Sequence, residues 1–90
     1  MRNMNPEEVA HAMSLVGWAK DKYGHPSKEL GGIRHRMVLG PQRISLEKLT
    51  KVTPTVDNPS RTQWRSVDSF SYGEVSVTQD SQIRMGSRLF

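Results

Sequence analysis

The 90-residue sequence contains no cysteine, so it can form neither disulfides nor thiolate metal sites. Small secreted domains usually depend on such cross-links, and we therefore expect an intracellular or virion setting. The three histidines, His11, His25 and His35, are not spaced as a metal-binding pair on a helix. We expect no metal site.

Large apolar residues are scarce. Ile, Leu, Val and Phe supply 19 of the 90 residues, close to the level of about 20% below which highly charged chains tend to be disordered. The net charge is only +4, which favours a marginal core over disorder. No apolar run approaches the roughly 20 residues that span a bilayer, and the N-terminus lacks the order of a signal peptide. We expect neither membrane insertion nor export.

Catalytic motifs are also missing from the sequence. The serines lack a glycine-flanked nucleophile turn, and the carboxylates are scattered singly. The glycine pair at 31–32 is not followed by the Lys-Ser/Thr of a phosphate loop. The sequence predicts a protein that is not an enzyme and has no cofactor.

The N-terminal segment carries the strongest helical signal. Asn5 is a good N-cap and Pro6 suits the first turn, whereas Gly24 and Pro26 are typical of a helix end. These signals predict a helix over residues 6–23.

The faces of this predicted helix indicate what surrounds it. One side is an apolar stripe and another is a row of small residues, so the helix has no broad solvated face and is expected to pack among other proteins. Gly17 is explained equally well by close packing or by tolerance of a chance glycine. The candidate partner-binding residues on this segment are Val9, Met13, Val16, Gly17 and Trp18.

The pattern changes after the glycine pair at 31–32, which we interpret as a hinge. Residues 33–39 alternate with the period of a strand, and Gly40 and Pro41 predict a turn. Residues 43–52 can form a returning strand or a short helix capped by Ser45. The helix is slightly favoured, because Glu47 and Lys51 have the four-residue spacing of a helical ion pair.

Residues 53–90 are rich in Ser and Thr, which supply 11 of the 38 positions, and show no helical period. The predicted fold is therefore mainly α plus extended coil. A small helical and basic region (1–52), with a strand or helix pair around 33–52, precedes a long extended C-terminal arm (53–90). The alternative is a small compact α+β domain.

The basic charge is concentrated in the middle of the sequence, because residues 27–53 carry six basic and two acidic side chains. These cations suit nucleic-acid phosphates or an acidic protein surface, although an ordinary solvated face explains them as well. The candidate contacts are Lys28, Arg34, Arg36, Arg43, Lys48 and Lys51.

Trp64 lies between Arg61 and Arg65, a combination that anchors in protein pockets or stacks on bases. Anchoring is favoured, because platforms for single strands generally use several aromatics. Four more residues in this region are candidate partner contacts because they are large and apolar: Phe70, Tyr72, Leu89 and Phe90.

These features together predict a small, non-enzymatic structural or accessory subunit of a larger assembly, such as a minor head, tail or internal protein of a phage virion. Its partners would be other protein subunits in a homo- or hetero-oligomer, with nucleic acid a further candidate through residues 28–51. The alternative function is a small basic regulator that binds nucleic acid or inhibits a host enzyme.

Overall fold

The computed structural model describes residues 4–52, 55–57 and 61–90. One helix and eight strands follow in chain order: α1 (Pro6–Leu15), β1 (Ala19–Lys20), β2 (Pro26–Leu30), β3 (Ile33–Leu39), β4 (Arg43–Val52), β5 (Arg61–Ser71), β6 (Val75–Val77), β7 (Ile83–Met85) and β8 (Arg88–Leu89). A 3₁₀ turn (Tyr72–Glu74) joins β5 to β6.

The strands form two antiparallel sheets. Strands β1 to β5 pair in sequence order in a five-stranded meander, and β6 to β8 form a three-stranded sheet. The prediction of a mainly helical fold with an extended arm is therefore wrong. The alternative, a small α+β domain, fits better.

The helix begins where the sequence predicts, but it ends eight residues earlier than predicted. Asn5 accepts a hydrogen bond from the Glu8 N–H at 2.8 Å and caps the first turn. At the other end Gly17 has φ +95°, a conformation that L side chains rarely adopt. The N–H groups of Gly17 and Trp18 then donate to the Ser14 and Met13 carbonyls, the two bonds of a Schellman motif. Gly17 thus terminates the helix, and residues 18–23 belong to the β1 region.

Residues 43–52 form a strand, not the helix that was slightly favoured. Each residue of β4 from Ile44 to Lys48 pairs with β3, and the whole strand pairs with β5. Sheet hydrogen bonds on both sides outweigh the weak helical preference of Ser45 and the Glu47/Lys51 spacing, which contributes only about 0.2–0.5 kcal/mol in a helix. Gly31 and Gly32, interpreted as a hinge, form the tight turn between β2 and β3 with positive φ at both positions.

The predicted C-terminal arm is folded wherever the structure describes it. Strand β5 pairs with β4 over its full length, and the small sheet packs onto the same core. The predicted extended conformation is wrong because β4 supplies the edge that residues 61–71 need. Residues 53–54 and 58–60 of that segment lie outside the described residues.

The core is on one side of the five-stranded sheet, which we call the covered face. Helix α1 and the small sheet lie against it. The core contains residues from both predicted regions, 1–52 and 53–90. Its members are Val9, Met13, Trp18, Met37, Ile44, Leu46, Phe70, Tyr72, Val75, Ile83 and Met85. Phe90 packs against this cluster, with its ring edge-on to Trp18 at 5.7 Å between centroids. The opposite side of the sheet is the open face.

The molecule is elongated, with extents of 54 × 25 × 24 Å. Its radius of gyration of 14.6 Å exceeds the roughly 12 Å of a compact domain of this length. The pairing of β3 explains this shape, because it stops at His35 opposite Lys48 while β4 continues to Val52. Beyond that point β4 pairs with β5 alone.

Candidate functional site

The projecting end of β4 and β5 is the most distinctive surface of the molecule. We call residues 48–52 and 61–65 the hairpin arm. Within this range β4 and β5 keep a regular cross-strand register, from Lys48 opposite Arg65 to Val52 opposite Arg61. The bulge in their pairing lies further inward, next to Leu46 and Glu47. The arm is therefore a two-stranded ribbon with two accessible faces.

The net charge of the chain lies on this arm. Four of its ten residues are cationic and none is acidic, namely Lys48, Lys51, Arg61 and Arg65. The chain has thirteen basic and nine acidic side chains, so the nine basic residues outside the arm balance the nine acidic ones. The arm is thus the electrostatically positive end of an otherwise neutral molecule.

Basic side chains stand in register at the base of the arm on the side of the covered face. His35 of β3 lies opposite Lys48, and Lys48 lies opposite Arg65. Like charges directly opposite each other destabilise a sheet. Among the residues that the structure describes, no carboxylate lies within ion-pair distance of Lys48 or Arg65. Lys48 and Arg65 therefore present unneutralised positive charge to whatever approaches this face.

A shallow depression of about 430 Å³ continues this row along the arm. Its lining is built from Lys48, Thr50, Lys51, Val52, Gln63 and Arg65. The Thr50 hydroxyl donates to the Gln63 carbonyl at 3.2 Å, which ties the two strands together. Ammonium, guanidinium and amide N–H donors without a carboxylate make a surface suited to phosphate oxygens.

The open face carries a second concave feature, a groove of about 500 Å³ that runs from the β1–β2 turn across the sheet to β5. We call it the aromatic groove. Its lining consists of Ala19, Lys20, Asp21, Lys22, Tyr23, Ser27, Arg34, Arg36, Leu49, Thr62 and Trp64. Trp64 and Leu49 are cross-strand partners and form its apolar floor.

Trp64 is held by a basic neighbour. The guanidinium carbon of Arg36 lies 4.2 Å from the centre of the indole ring, a cation–π contact. Arg36 Nε also donates to Glu47 Oε1 at 2.7 Å, and both side chains are largely shielded, with 18% and 22% exposed. Glu47 therefore fixes the guanidinium over one face of the indole, and the half-buried Trp64 side chain lines the groove.

Tyr23 is placed at the other end of the groove by a hydrogen-bonded turn. Asp21 Oδ1 accepts from the Tyr23 N–H at 2.9 Å and from the His25 N–H at 3.0 Å. Burial opposes ionisation of Asp21, but the hydrogen bonds from His25 and Tyr23 outweigh it and hold the pKa of this carboxyl below its ordinary value. The turn leaves the Tyr23 ring 68% exposed, with the Lys22 ammonium 5.1 Å from its centre.

The candidate partner-binding residues fall into three groups. Five are buried in the chain's own core: Val9, Met13, Trp18, Phe70 and Tyr72. Val16 and Phe90 are partly buried against that core, and Gly17 ends the helix. Trp64 lines the aromatic groove, and Leu89 is exposed.

The candidate phosphate contacts are divided as well. Lys48 and Lys51 lie on the arm, and Arg34 and Arg36 line the groove. Arg36 is paired with Glu47, as described above, and three more of the six candidates also have partners within the chain. Lys28 Nζ donates to the Val16 carbonyl at 3.1 Å and so caps the helix C-terminus, Arg43 Nε donates to Ser69 Oγ, and Arg34 lies 3.7 Å from Glu29.

Arg61 and Arg65 lie outside the basic segment 27–53 from which the phosphate contacts were predicted, and Tyr23 lies at the end of the predicted helix. The signal for the first was available, since a hairpin closing over residues 53–60 would place Arg65 beside Lys48. Tyr23 depends on the early helix end at Gly17. A helix continuing to residue 23 excludes the turn that carries this ring.

Neither a metal centre nor a membrane-spanning helix is found among the described residues. No group of His, Cys, Asp or Glu side chains in residues 4–52, 55–57 and 61–90 has the geometry to hold a metal ion. Over the same ranges no helix has the length and apolar character to cross a membrane.

Comparison of the chain with models of protein families, with curated proteins and with solved structures finds no match in any of the three.

Proposed function

We propose that this chain is a small non-enzymatic binding module that contacts the phosphate backbone of a nucleic acid through its hairpin arm. The observation that carries the proposal is the in-register row of His35, Lys48 and Arg65 on three adjacent strands. This function corresponds to the regulatory alternative from the sequence. An intracellular or virion setting goes with it, since the sequence contains no cysteine.

The electrostatics of the arm supports this function. Opposed like charges destabilise a sheet, and the Lys48–Arg65 pair lies at the row where the pairing of β4 with β3 ends. An anion bridging Lys48 and Arg65 converts this repulsion into two charge-assisted hydrogen bonds. Lys51 lies further out along the same depression and Arg61 lies opposite Val52 at the end of the arm, so a ligand with regularly spaced phosphates can contact the arm at more than one position.

Binding of this kind has a characteristic dependence on salt. If the four arm cations each neutralise one phosphate of a single strand, the logarithm of the association constant falls with the logarithm of the salt concentration with a slope of about −3. A duplex would give a slope of about −4. A neutral or peptide-backbone interaction gives a much smaller slope.

The test is a titration of fluorescently labelled oligonucleotides with the wild-type chain, Arg65→Glu and Arg84→Glu, followed by anisotropy over a series of salt concentrations. Both variants change the net charge by the same amount, but Arg84 lies on β7, outside the arm. We expect Arg65→Glu to weaken binding and to flatten the salt slope, and Arg84→Glu to resemble the wild type. Equal loss in both variants would mean that only net charge matters, and the proposal would fail.

An acidic protein surface is the competing occupant of the arm, and the same assay addresses it with polyglutamate as competitor. Nucleic acid bound at phosphates is displaced by polyglutamate only weakly, because carboxylates do not reproduce the spacing of the backbone. Displacement at the concentration at which an unlabelled oligonucleotide competes would identify an acidic protein as the ligand instead.

The assembly role predicted from the sequence is our second proposal, and one observation favours it. Strand β5 is the outer strand of the five-stranded sheet, and no other strand of the described residues pairs with its free edge over Arg61–Ser71. Such an edge accepts a strand from a partner subunit. Hydrogen exchange of β5 amides with and without the partner, together with sedimentation mass, tests this role.

A further inference from the structure

We infer that the nucleic acid is single-stranded and that one of its bases stacks against Trp64 in the aromatic groove. This inference rests on the proposed function, because it names the ligand of the same arm. Three observations support it: Trp64 and Arg65 face opposite sides of the outer strand β5, the groove has an aromatic ring at each end, and two of the groove's arginines are already paired with glutamates.

Trp64 and Arg65 bring two kinds of contact to one edge of the sheet. They are consecutive residues of a strand, so their side chains point to opposite faces. Trp64 faces Leu49 across the open face, and Arg65 faces Lys48 on the other side of the arm. Since β5 is the outer strand of its sheet, a flexible strand following this edge reaches Arg65 with its phosphates and Trp64 with a base.

The groove itself suits the flat face of a base. Its volume of about 500 Å³ lies within the range of about 300–1,000 Å³ found for small-molecule sites. Aromatic rings lie at both ends, Trp64 on β5 and the exposed Tyr23 on the β1–β2 turn. A duplex keeps its bases stacked on one another and cannot present such a face, whereas a single strand can.

The charges in the groove indicate that it contributes stacking more than phosphate affinity. Arg36 is paired with Glu47 at 2.7 Å, and Arg34 lies 3.7 Å from Glu29. Of the other two cations in the groove, Lys22 lies over the Tyr23 ring and Lys20 adjoins the Asp21 carboxylate in the chain, whereas the arm carries four cations and no carboxylate. The two contributions can therefore be separated: loss of the indole lowers affinity at every salt concentration, and loss of an arm cation changes the salt slope.

The experiment compares single-stranded oligonucleotides with a duplex of the same sequence, using wild type, Trp64→Leu and Trp64→Phe. We expect Trp64→Leu to bind single strands about 5- to 150-fold more weakly with an unchanged salt slope. Trp64→Phe keeps an aromatic face and should retain most of the affinity. The duplex should bind wild type more weakly than the single strand and be insensitive to Trp64→Leu.

Intrinsic fluorescence provides an independent measurement on the unmodified chain. Of the two tryptophans, Trp18 is 1% exposed in the core and Trp64 lines the groove. Stacking of a base quenches Trp64 and leaves Trp18 emission as an internal reference. Tyr23→Ala removes a ring that is already 68% exposed, so it tests the other end of the groove without disturbing the core. We expect it to weaken single-strand binding as well.

The outcomes separate this inference from the proposed function. If oligonucleotides bind with arm-dependent salt slopes but the duplex binds as well as the single strand and Trp64 is not quenched, the stacking inference is overturned and the function stands. If neither form binds at low salt, the proposed function itself fails. Retained affinity in both Trp64→Leu and Tyr23→Ala would also overturn the stacking inference.

Discussion

Lys48 and Arg65 are direct cross-strand partners at the last row in which β4 and β5 are joined to β3 and, through it, to β2. A sheet optimised for its own stability would place opposite charges there, as it does one row inward on the other face, where Arg36 meets Glu47. The two adjacent rows therefore differ: Arg36 is paired with Glu47 on the open face, whereas Lys48 and Arg65 have no carboxylate partner among the described residues.

The opposed charges of Lys48 and Arg65 predict that a substitution which weakens anion binding at this pair will stabilise the folded protein. Arg65→Glu replaces the repulsion by an ion pair with Lys48, so the free energy of unfolding should rise by about 0.2–1 kcal/mol at low salt. The gain should shrink at high salt, because exposed charges are screened. Urea denaturation at two ionic strengths measures it.

Arg84→Glu is the control for this comparison. Its neighbours across the small sheet are Ser76 and Leu89, which are uncharged. The unfolding free energy of this variant should therefore stay within about 0.5 kcal/mol of wild type. A destabilised Arg65→Glu would show that Lys48 and Arg65 do not repel each other in the folded protein.

The helix end shows how much of this fold is readable from local sequence. The start was predictable because Asn5 and Pro6 act through bonds within one turn. Gly24 was predicted as the stop, whereas Gly17, which lies earlier in the segment, was interpreted as a closely packed or chance glycine within the helix. Trp18 decides in favour of the earlier one, because its burial beside Met13 completes the hydrophobic part of the Schellman motif. That contact is tertiary and has no local signature.

Strands β4 and β5 illustrate the second limit of the sequence. Residues 33–39 were predictable as a strand, because their alternation is local. Residues 61–71 become a strand through pairing with residues 43–52, across a connection of eight residues. The aromatic groove could not be predicted for the same reason. Trp64 and Tyr23 line one groove only after the β1–β2 and β4–β5 pairings have formed. The candidate cations of the arm were partly predictable, because Lys48 and Lys51 stand in the basic segment.

Gly17 provides a test of the helix end. A side chain at φ +95° is strained, and the Cβ of Ala would lie 3.4 Å from Lys28 Nζ, which binds the Val16 carbonyl. We expect Gly17→Ala to lower the free energy of unfolding by about 1–3 kcal/mol. Gly17→Asn adds the same Cβ but tolerates positive φ better, so it should cost less. Thermal denaturation of the two variants separates backbone strain from contact with Lys28, and equal losses would assign the cost to that contact.

Stability at acid pH depends on two carboxylates whose pKa values are lowered in the folded protein. The hydrogen bond from Arg88 lowers the pKa of Asp68, and backbone donors outweigh burial at Asp21. A lowered pKa stabilises the fold above the unfolded value of about 3.9, and this contribution is lost as pH falls through the folded value. We therefore expect the free energy of unfolding to decrease below about pH 4. The variant with both Asp21→Asn and Asp68→Asn should show a shallower decrease, measured by urea denaturation across this range, and an unchanged slope would contradict the assignment.

The folded state of the C-terminal region is tested by two neighbouring residues that face opposite ways. Phe90 packs edge-on against Trp18 at 5.7 Å and Phe70 at 6.3 Å, whereas Leu89 is 53% exposed. Burying a full Phe ring contributes roughly 3–5 kcal/mol, and Phe90 is half-buried, so Phe90→Ala should cost about 2 kcal/mol. Leu89→Ala should stay within about 0.5 kcal/mol of wild type. An extended arm would make both substitutions neutral, so thermal denaturation of the pair, with hydrogen exchange over Ile83–Met85, distinguishes a packed terminus from a free one.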